Sequence, residues 1–341
     1  MNKKSNKSGS FKKFAAYICA IMALCLIFSF GCFSKSDIAQ KTQEESSTTN
    51  AGSASSETPA GKDIEESPSV ESTPSTDAQM AENELRKNFD KLKNDETDPA
   101  KILIFLEENI SAASKPLADE IAYFNFDASE GDLEKFTDNY ADPEIQDAIY
   151  NEFNGSTDLE ELKTSQNRKL AILAQKTIDR KYRLFNTEGF ITPILDYKAY
   201  SEYRQYLSKE MNDYLDIMQS ESDKPSISDM GIIITMDDFK SRIIASYAFV
   251  DNYPDSVRKP RVEDMRNGKL WIYLAGIDNT PVFDFNGAII PERLRDFQDT
   301  DKKFEGTAFG KALKEYLDLL AIENYSYTQN VKDYLATVSS Y

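Results

Sequence analysis

From Gln79 onward the sequence predicts a mostly all-α fold, and three observations carry that expectation. Apolar residues recur at steps of three and four over long stretches, the spacing that lays them on one face of a helix. The nine glycines and nine prolines beyond residue 78 fall mostly between those stretches, where helices would end. Two stretches open on Asp-Pro pairs, Asp98-Pro99 and Asp142-Pro143, which put an acceptor at the N-cap and a ring-fixed φ in the first turn.

Taken in order, Asp98-Pro99 opens a segment carrying Ile102, Leu103, Phe105, Leu106 and Ile110, and Asp142-Pro143 opens one carrying Ile145, Ile149, Tyr150 and Phe153. Over residues 158–186, Leu159, Leu162, Leu170, Leu173, Ala174, Ile178, Tyr182 and Phe185 keep the three-and-four rhythm across one polar gap, which predicts a single long amphipathic helix. A further helix is expected over about 193–220. Gly231-Ile232-Ile233-Ile234-Thr235 and residues 269–274 are short apolar runs, expected as helix or as a minor hairpin. Ala312, Leu313, Tyr316, Leu317 and Leu320 make a clear stripe, and Val331, Tyr334, Leu335 and Val338 a last one.

Residues 241–256, SRIIASYAFVDNYPDS, resemble the second helix and closing turn of a tetratricopeptide-type repeat. Ala245, Phe249, Tyr253 and Pro254 stand where that family places its small, aromatic and helix-ending residues, and Asp255-Ser256 would cap the following helix. The resemblance implies stacked αα-hairpins in a helical repeat-like body. No second copy occurs at a period of 34 residues.

The N-terminus has a different character. Lys3, Lys4, Lys7, Lys12 and Lys13 precede an uncharged, mostly apolar stretch from Phe14 to Ser34, the pattern of an export signal over residues 1–31 with its basic end kept inside. Ser29-Phe30-Gly31-Cys32 resembles the lipobox of bacterial lipoproteins, which implies that Cys32 is diacylated and becomes the first mature residue. Ser29 and Phe30 depart from that pattern, where leucine and a small residue are usual. The 18 residues to Gly31 also suit an uncleaved single-pass helix. Either way the rest of the chain is expected on the extracytoplasmic face of the cell membrane.

Residues 32–78 are expected to be a disordered tether. The 46 residues after Cys32 hold 11 Ser, 6 Thr and 9 acids but one aromatic, Phe33, too little apolar surface to offset the entropy of ordering. A flexible coil of that length reaches roughly 35–40 Å. Residues 79–341 are expected to form the extracytoplasmic helical domain.

The charge balance and the missing residue types exclude several chemistries. The chain has no histidine, and its three cysteines lie within the first 32 positions, so His-based nucleophile pairs and thiolate or imidazole metal sites have no ligands in the domain. No GxG-type phosphate loop occurs. With 40 basic against 58 acidic residues the net charge is −18, which disfavours nucleic acid. Loss of the signal would leave −23. No cofactor and no metal are expected. The oxygen-bearing loop at 278–287, with Asp278, Asn279, Asp284, Asn286 and Gly287, lacks the alternation of a calcium loop and reads as caps and turn formers. No carboxylate pair stands out as an acid-pair hydrolase, so no enzymatic activity is expected.

Tyr197, Tyr200, Tyr203 and Tyr206 recur every three residues. On an α-helix such a set drifts by ~60° per step and cannot share one stripe. It would either pack between neighbouring helices or form an aromatic surface for peptide or glycan. The functional expectation is a membrane-anchored helical scaffold that binds a protein or peptide in the cell envelope; the alternative is a glycan- or solute-binding lipoprotein.

Cys32 separates the two anchoring chemistries. Cys32→Ser is expected to block processing and leave a precursor that still carries its 31-residue signal and takes up no labelled palmitate. N-terminal mass and lipid label read the outcome, and an unlabelled wild type that retains Met1 would sink the lipobox reading.

Overall fold

The computed structural model describes residues 76–339. The export segment, Cys32 and nearly all of the tether lie outside the described residues. The body is mostly α-helical, with three two-stranded antiparallel ribbons between helices. Among the described residues no helix is long and apolar enough to cross a membrane.

The first helices follow their caps. Helix α1 (Thr76–Asp95) precedes α2 (Pro99–Asn109), where the Asp98 carboxylate accepts from the Ala100 N–H. Helix α3 (Lys115–Tyr140) buries Leu117, Ile121, Phe126, Leu133 and Phe136 along one side. Helix α4 (Pro143–Phe153) starts on Asp142, which accepts from the Glu144 N–H, and stops at Asn154 in the left-handed region.

The expected helix over 158–186 is three elements instead. Helix α5 (Leu159–Leu162) is one turn, and α6 (Arg168–Ile178) starts afresh because Asn167, in the polar gap, caps the Lys169 and Leu170 N–H groups. Strand β1 (Tyr182–Thr187) then pairs with β2 (Phe190–Leu195) through a turn at Glu188-Gly189, both at positive φ. Tyr182 and Leu184 face inward at a period of two, and Phe185, which fitted a helical stripe, lies on the other face.

The expected helix over 193–220 is divided as well. Strand β2 ends at Leu195, residues Tyr197–Tyr206 form a ten-residue 3-10 helix, and α7 (Lys209–Asp223) begins on Ser208, whose hydroxyl accepts from the Met211 N–H. Strands β3 (Ile227–Ser228) and β4 (Gly231–Ile232) make a minor ribbon.

Helices α8 (Met236–Asn252) and α9 (Lys259–Ala275) form a hairpin, and residues 269–274 are the last turns of α9. The cap of α9 is Arg258 rather than Asp255-Ser256; the Ser256 hydroxyl instead accepts from the Arg258 N–H and shapes the approach. Gly276 closes α9 at φ 80°, where an added Cβ would lie 2.5 Å from the Val282 nitrogen. Strands β5 (Gly276–Ile277) and β6 (Thr280–Pro281) follow, then α10 (Pro291–Lys303), α11 (Ala308–Ile322) and α12 (Gln329–Ser339).

Two apolar cores meet at the α8–α9 hairpin. The first gathers α1 to α7 with the β1–β2 ribbon and takes Phe249 and Val262 from the hairpin. The second gathers α10 to α12 and takes Phe239, Ile243, Leu270, Tyr273 and Leu274. The seam is polar. Glu221, near the end of α7, accepts from the Ser226 backbone N–H and hydroxyl. It also pairs with Arg242 of α8 at 2.8 Å and Lys269 of α9 at 3.3 Å. All three side chains are largely buried, Glu221 retaining 23 % exposure.

Removing one partner of such a set leaves opposite charges without an answer. Glu221→Gln is expected to cost about 2–3 kcal/mol near pH 7, less than for a fully enclosed pair. Burial alone would raise the Glu221 carboxyl, but Lys269 and Arg242 hold it below its ordinary value. The depressed group stabilises the fold above its unfolded pKa and stops doing so as pH falls through the folded one. The wild-type advantage should therefore shrink below about pH 4.5. Denaturant melts of both proteins at pH 7 and in the acid range check this.

Candidate functional site

Helix α3 carries Asp119, Tyr123, Asp127 and Glu130 at steps of four, four and three, which puts them on one face. The start of α9 lays two guanidiniums against that face, Arg258 and Arg261, one turn apart. Arg261 Nη2 pairs with Glu130 at 2.8 Å, and Glu130 also accepts from the Tyr197 hydroxyl at 3.1 Å. Arg258 stacks on the Tyr123 ring and approaches Tyr214. Its Nη2 donates to the Asp119 carbonyl at 3.3 Å. Arg258 is only 3 % exposed, and its Nη1 has no hydrogen-bond acceptor, nor has Arg261 Nε. Burial lowers the Arg258 pKa.

The acids of this face respond in the opposite sense. Asp127 keeps an open side to solvent, yet desolvation of its carboxyl and the Glu130 charge push it up to about 6, against the pull of Arg258 and Arg261. Asp119 is raised by burial and by Glu210 of α7, although the Ser208 N–H donates to it at 3.0 Å. Of these groups Asp119 and Arg258 also line a concavity, which marks a candidate functional site.

Two hollows flank the turn between α8 and α9. The smaller, about 250 Å³, is walled by Asp119 and Glu120 of α3, Glu210 of α7, and Asp255, Ser256 and Arg258 of the turn. The larger is a furrow of about 400 Å³ between α7 and α8. Ser241, Ala245 and Ala248 recur at steps of four and three on α8 and leave the groove unfilled; Ile217 and Ser220 form the α7 side, with Asp213 and Asp216 at the rim. Asp213 is tied to the Tyr253 hydroxyl and to Lys209, at 2.6 Å each.

The sequence-predicted tyrosines lie next to this site but face inward. A 3-10 helix has three residues per turn, so residues three apart eclipse, and the repeat that would spiral round an α-helix becomes one stripe. Tyr197, Tyr200 and Tyr203 are 4, 2 and 7 % exposed, while Tyr206 is half-buried. Tyr200 donates to Asn125 at 2.6 Å and Tyr203 to Glu107 at 2.9 Å, and the Tyr200 ring meets Phe126 edge-on at 4.8 Å. Three rings therefore pin the 3-10 helix to α2 and α3. The other expected site residue, Cys32, lies outside the described residues.

In loop 278–287 the Asp284 carboxylate accepts from the Asn286 and Ala288 N–H groups, and Asn279 braces the β3–β4 turn. Among the described residues no group of three or more acids is placed to hold a metal ion. Sequence reasoning missed Arg258 and the acids around it. The four-residue spacing of Asp119, Tyr123 and Asp127 was the available signal, but nothing in the sequence says that α9 lies across it.

Comparison with known proteins found no matching family model, no matching curated protein and no matching solved structure.

The raised Asp127 carboxyl has a testable consequence. Its folded pKa lies above the ordinary value of about 3.9, so the charged form costs stability above pH 6 and the cost fades toward pH 4. Asp127→Asn should raise the melting temperature at pH 8, and the gain should shrink between pH 6 and pH 4. A gain independent of pH would refute this placement of the charge.

Proposed function

We propose that this chain is a membrane-anchored extracytoplasmic scaffold whose helical body holds a segment of a partner protein in the furrow between α7 and α8. One observation carries the reading: small side chains at Ser241, Ala245 and Ala248 leave a groove of about 400 Å³ between two helices that are otherwise packed into the body. That volume falls within the range of binding clefts. At its rim Asp213 pairs with Lys209 and Asp216 with Arg204, and Arg242 shares the lining, so the edge is of mixed charge around an apolar floor. An amphipathic segment that lays apolar side chains over Ala245 and Ala248 is the complementary occupant.

The export signal, the Cys32 lipobox and the tether support a location at the outer face of the cell membrane. With the domain strongly acidic, attachment to anionic headgroups falls to the lipid or the uncleaved helix and not to the domain surface. The glycan- or solute-binding alternative rested on the tyrosine helix, and the inward turn of Tyr197, Tyr200 and Tyr203 removes that support.

A photo-reactive residue placed at Ala245 of the full chain, in its own membrane, tests the furrow. A discrete protein adduct is expected, and adding Ala248→Trp should cut its yield at least tenfold by filling the groove. The same probe at exposed Lys314 on α11 should give no such adduct. Equal labelling from both positions, or a yield indifferent to Ala248→Trp, would overturn the reading.

A further inference from the structure

An apolar projection stands on the second core, away from both hollows. Residues 282–290 fold back through a turn at Asp284–Gly287, closed by the Gly287 N–H on the Asp284 carbonyl at 2.9 Å. The Asp284 carboxylate is turned onto the Asn286 and Ala288 N–H groups, and Gly287 takes φ 79°. The segment between α11 and α12 braces the returning arm. The Ile289 N–H donates to the Tyr325 carbonyl at 2.9 Å and the Tyr327 N–H to the Gly287 carbonyl at 2.7 Å, while the Phe283 and Tyr327 rings lie 4.8 Å apart. On this braced base Phe285 stands at the tip, 97 % exposed. On the bracing segment Tyr325 and Tyr327 are each 37 % exposed, and Ile322, three residues before Tyr325, is 75 % exposed. Exposed apolar residues scattered singly are ordinary, but here four sit on two segments joined by backbone hydrogen bonds.

The shape selects the occupant. The patch projects, and none of its four residues lines either hollow, so it offers no recess to a solute or a peptide side chain. A fluid apolar phase accepts a projecting ring without a matching cavity. Tyrosine, with an apolar body and a polar tip, settles at the bilayer–water interface, and exposed Lys332, its Nζ 5.2 Å from the Tyr327 ring centre, brings a cation to the same level. We propose that this aromatic tip enters the bilayer surface and orients the body on the membrane, with Phe285 below the headgroups and Tyr325 and Tyr327 among them. The proposal rests on the membrane location given above. One ring and its neighbours are too few to bring a free protein to lipid, but the expected tether, with its reach of roughly 35–40 Å, keeps the body beside the bilayer, where a weak contact is populated. Because the contact is apolar, the acidic body opposes it on anionic lipid and permits it on zwitterionic lipid.

Phe285→Trp in the full chain tests the contact, with an added N-terminal hexahistidine holding the protein to phosphatidylcholine vesicles that carry nickel-chelating lipid, whichever native anchor operates. The emission that this variant adds to that of native Trp271 should shift to the blue on the vesicles and be quenched at least twofold by acyl-brominated phosphatidylcholine. Val257→Trp, at a position 70 % exposed on the α8–α9 turn, should show neither effect. Adding Ile322→Ser and Tyr325→Ser, both at exposed positions, should at least halve the quenching, and so should replacing part of the lipid by phosphatidylglycerol, with melting curves confirming that each variant folds. Emission indifferent to brominated lipid, or equal quenching from positions 285 and 257, would overturn the proposal. So would a blue shift in the absence of lipid with a doubled mass in light scattering, which would give the patch to a second copy of the chain. Flotation of the untagged wild type with vesicles reads the anchor by itself, so failure of the membrane location and failure of this contact are told apart.

Discussion

The carboxylate of Glu221 answers two cations from two different helices, and the arrangement of the body follows from that constraint. Arg242 and Lys269 lie where the two apolar cores meet, and neither could stay there alone without the cost of an unpaired buried charge. Their common partner fixes the end of α7 against both helices of the hairpin. With α7 held at that end, the small side chains of α8 cannot be closed upon, and the furrow stays open. At the other end of α7, Glu210 meets Ser256 in the α8–α9 turn and frames the smaller hollow. Both hollows are thus the spaces left on either side of one turn, between helices whose separation is set by charge as well as by packing.

A second polar knot shows the difference between a closed set and an open one. Lys240, Asp296, Tyr273 and Thr300 are held within the second core, with Lys240 Nζ 2.7 Å from Asp296 and the Tyr273 hydroxyl donating to Asp296 at 2.8 Å. Lys240 and the Tyr273 hydroxyl each find an acceptor, so the cluster specifies how α8, α9 and α10 pack. At Arg258 one guanidinium nitrogen is enclosed without an acceptor, as Arg242 Nη1 is at the seam. Buried polar sets that are satisfied fix the packing around them most strictly.

Much of the helical architecture was legible in the sequence because its signals are local. Asp98, Asp142 and the stripes through Leu313 and Val331 act within one or two turns, and each appears in the fold as its own side chains require. The errors fell where a rhythm of three or four continued through a change of backbone. Tyr182 follows Ile178 at a helical interval, but the positive φ at Lys181 turns the chain into a strand before that residue can join the stripe. The Glu188-Gly189 turn was the local sign of a hairpin, weaker than an Asn-Gly pair and hidden among apolar residues that fitted a helix. The two hollows were less accessible still. Ala245 and Ala248 are visible as small residues in the sequence, and Arg258 as one cation among 40 basic residues, but each matters through what the fold brings to its other side.

The tyrosine helix shows why spacing alone could not decide between surface and core. A repeat of three is off-register for an α-helix by ~60° per step and in register for a 3-10 helix. The 3-10 form has poorer hydrogen-bond geometry and is rarely sustained for ten residues, so it persists here only with compensation from outside. That compensation is visible: three rings enter the first core together, and their hydroxyls reach Glu130, Asn125 and Glu107. Spread round an α-helix, the same rings could not all be buried against α2 and α3, and some hydroxyls would lose these partners. The backbone takes the period that the side chains already have. Tyr197 joins this scaffold to the Arg261–Glu130 pair beside the smaller hollow, so the aromatic repeat contributes by holding the charged face of α3 in place.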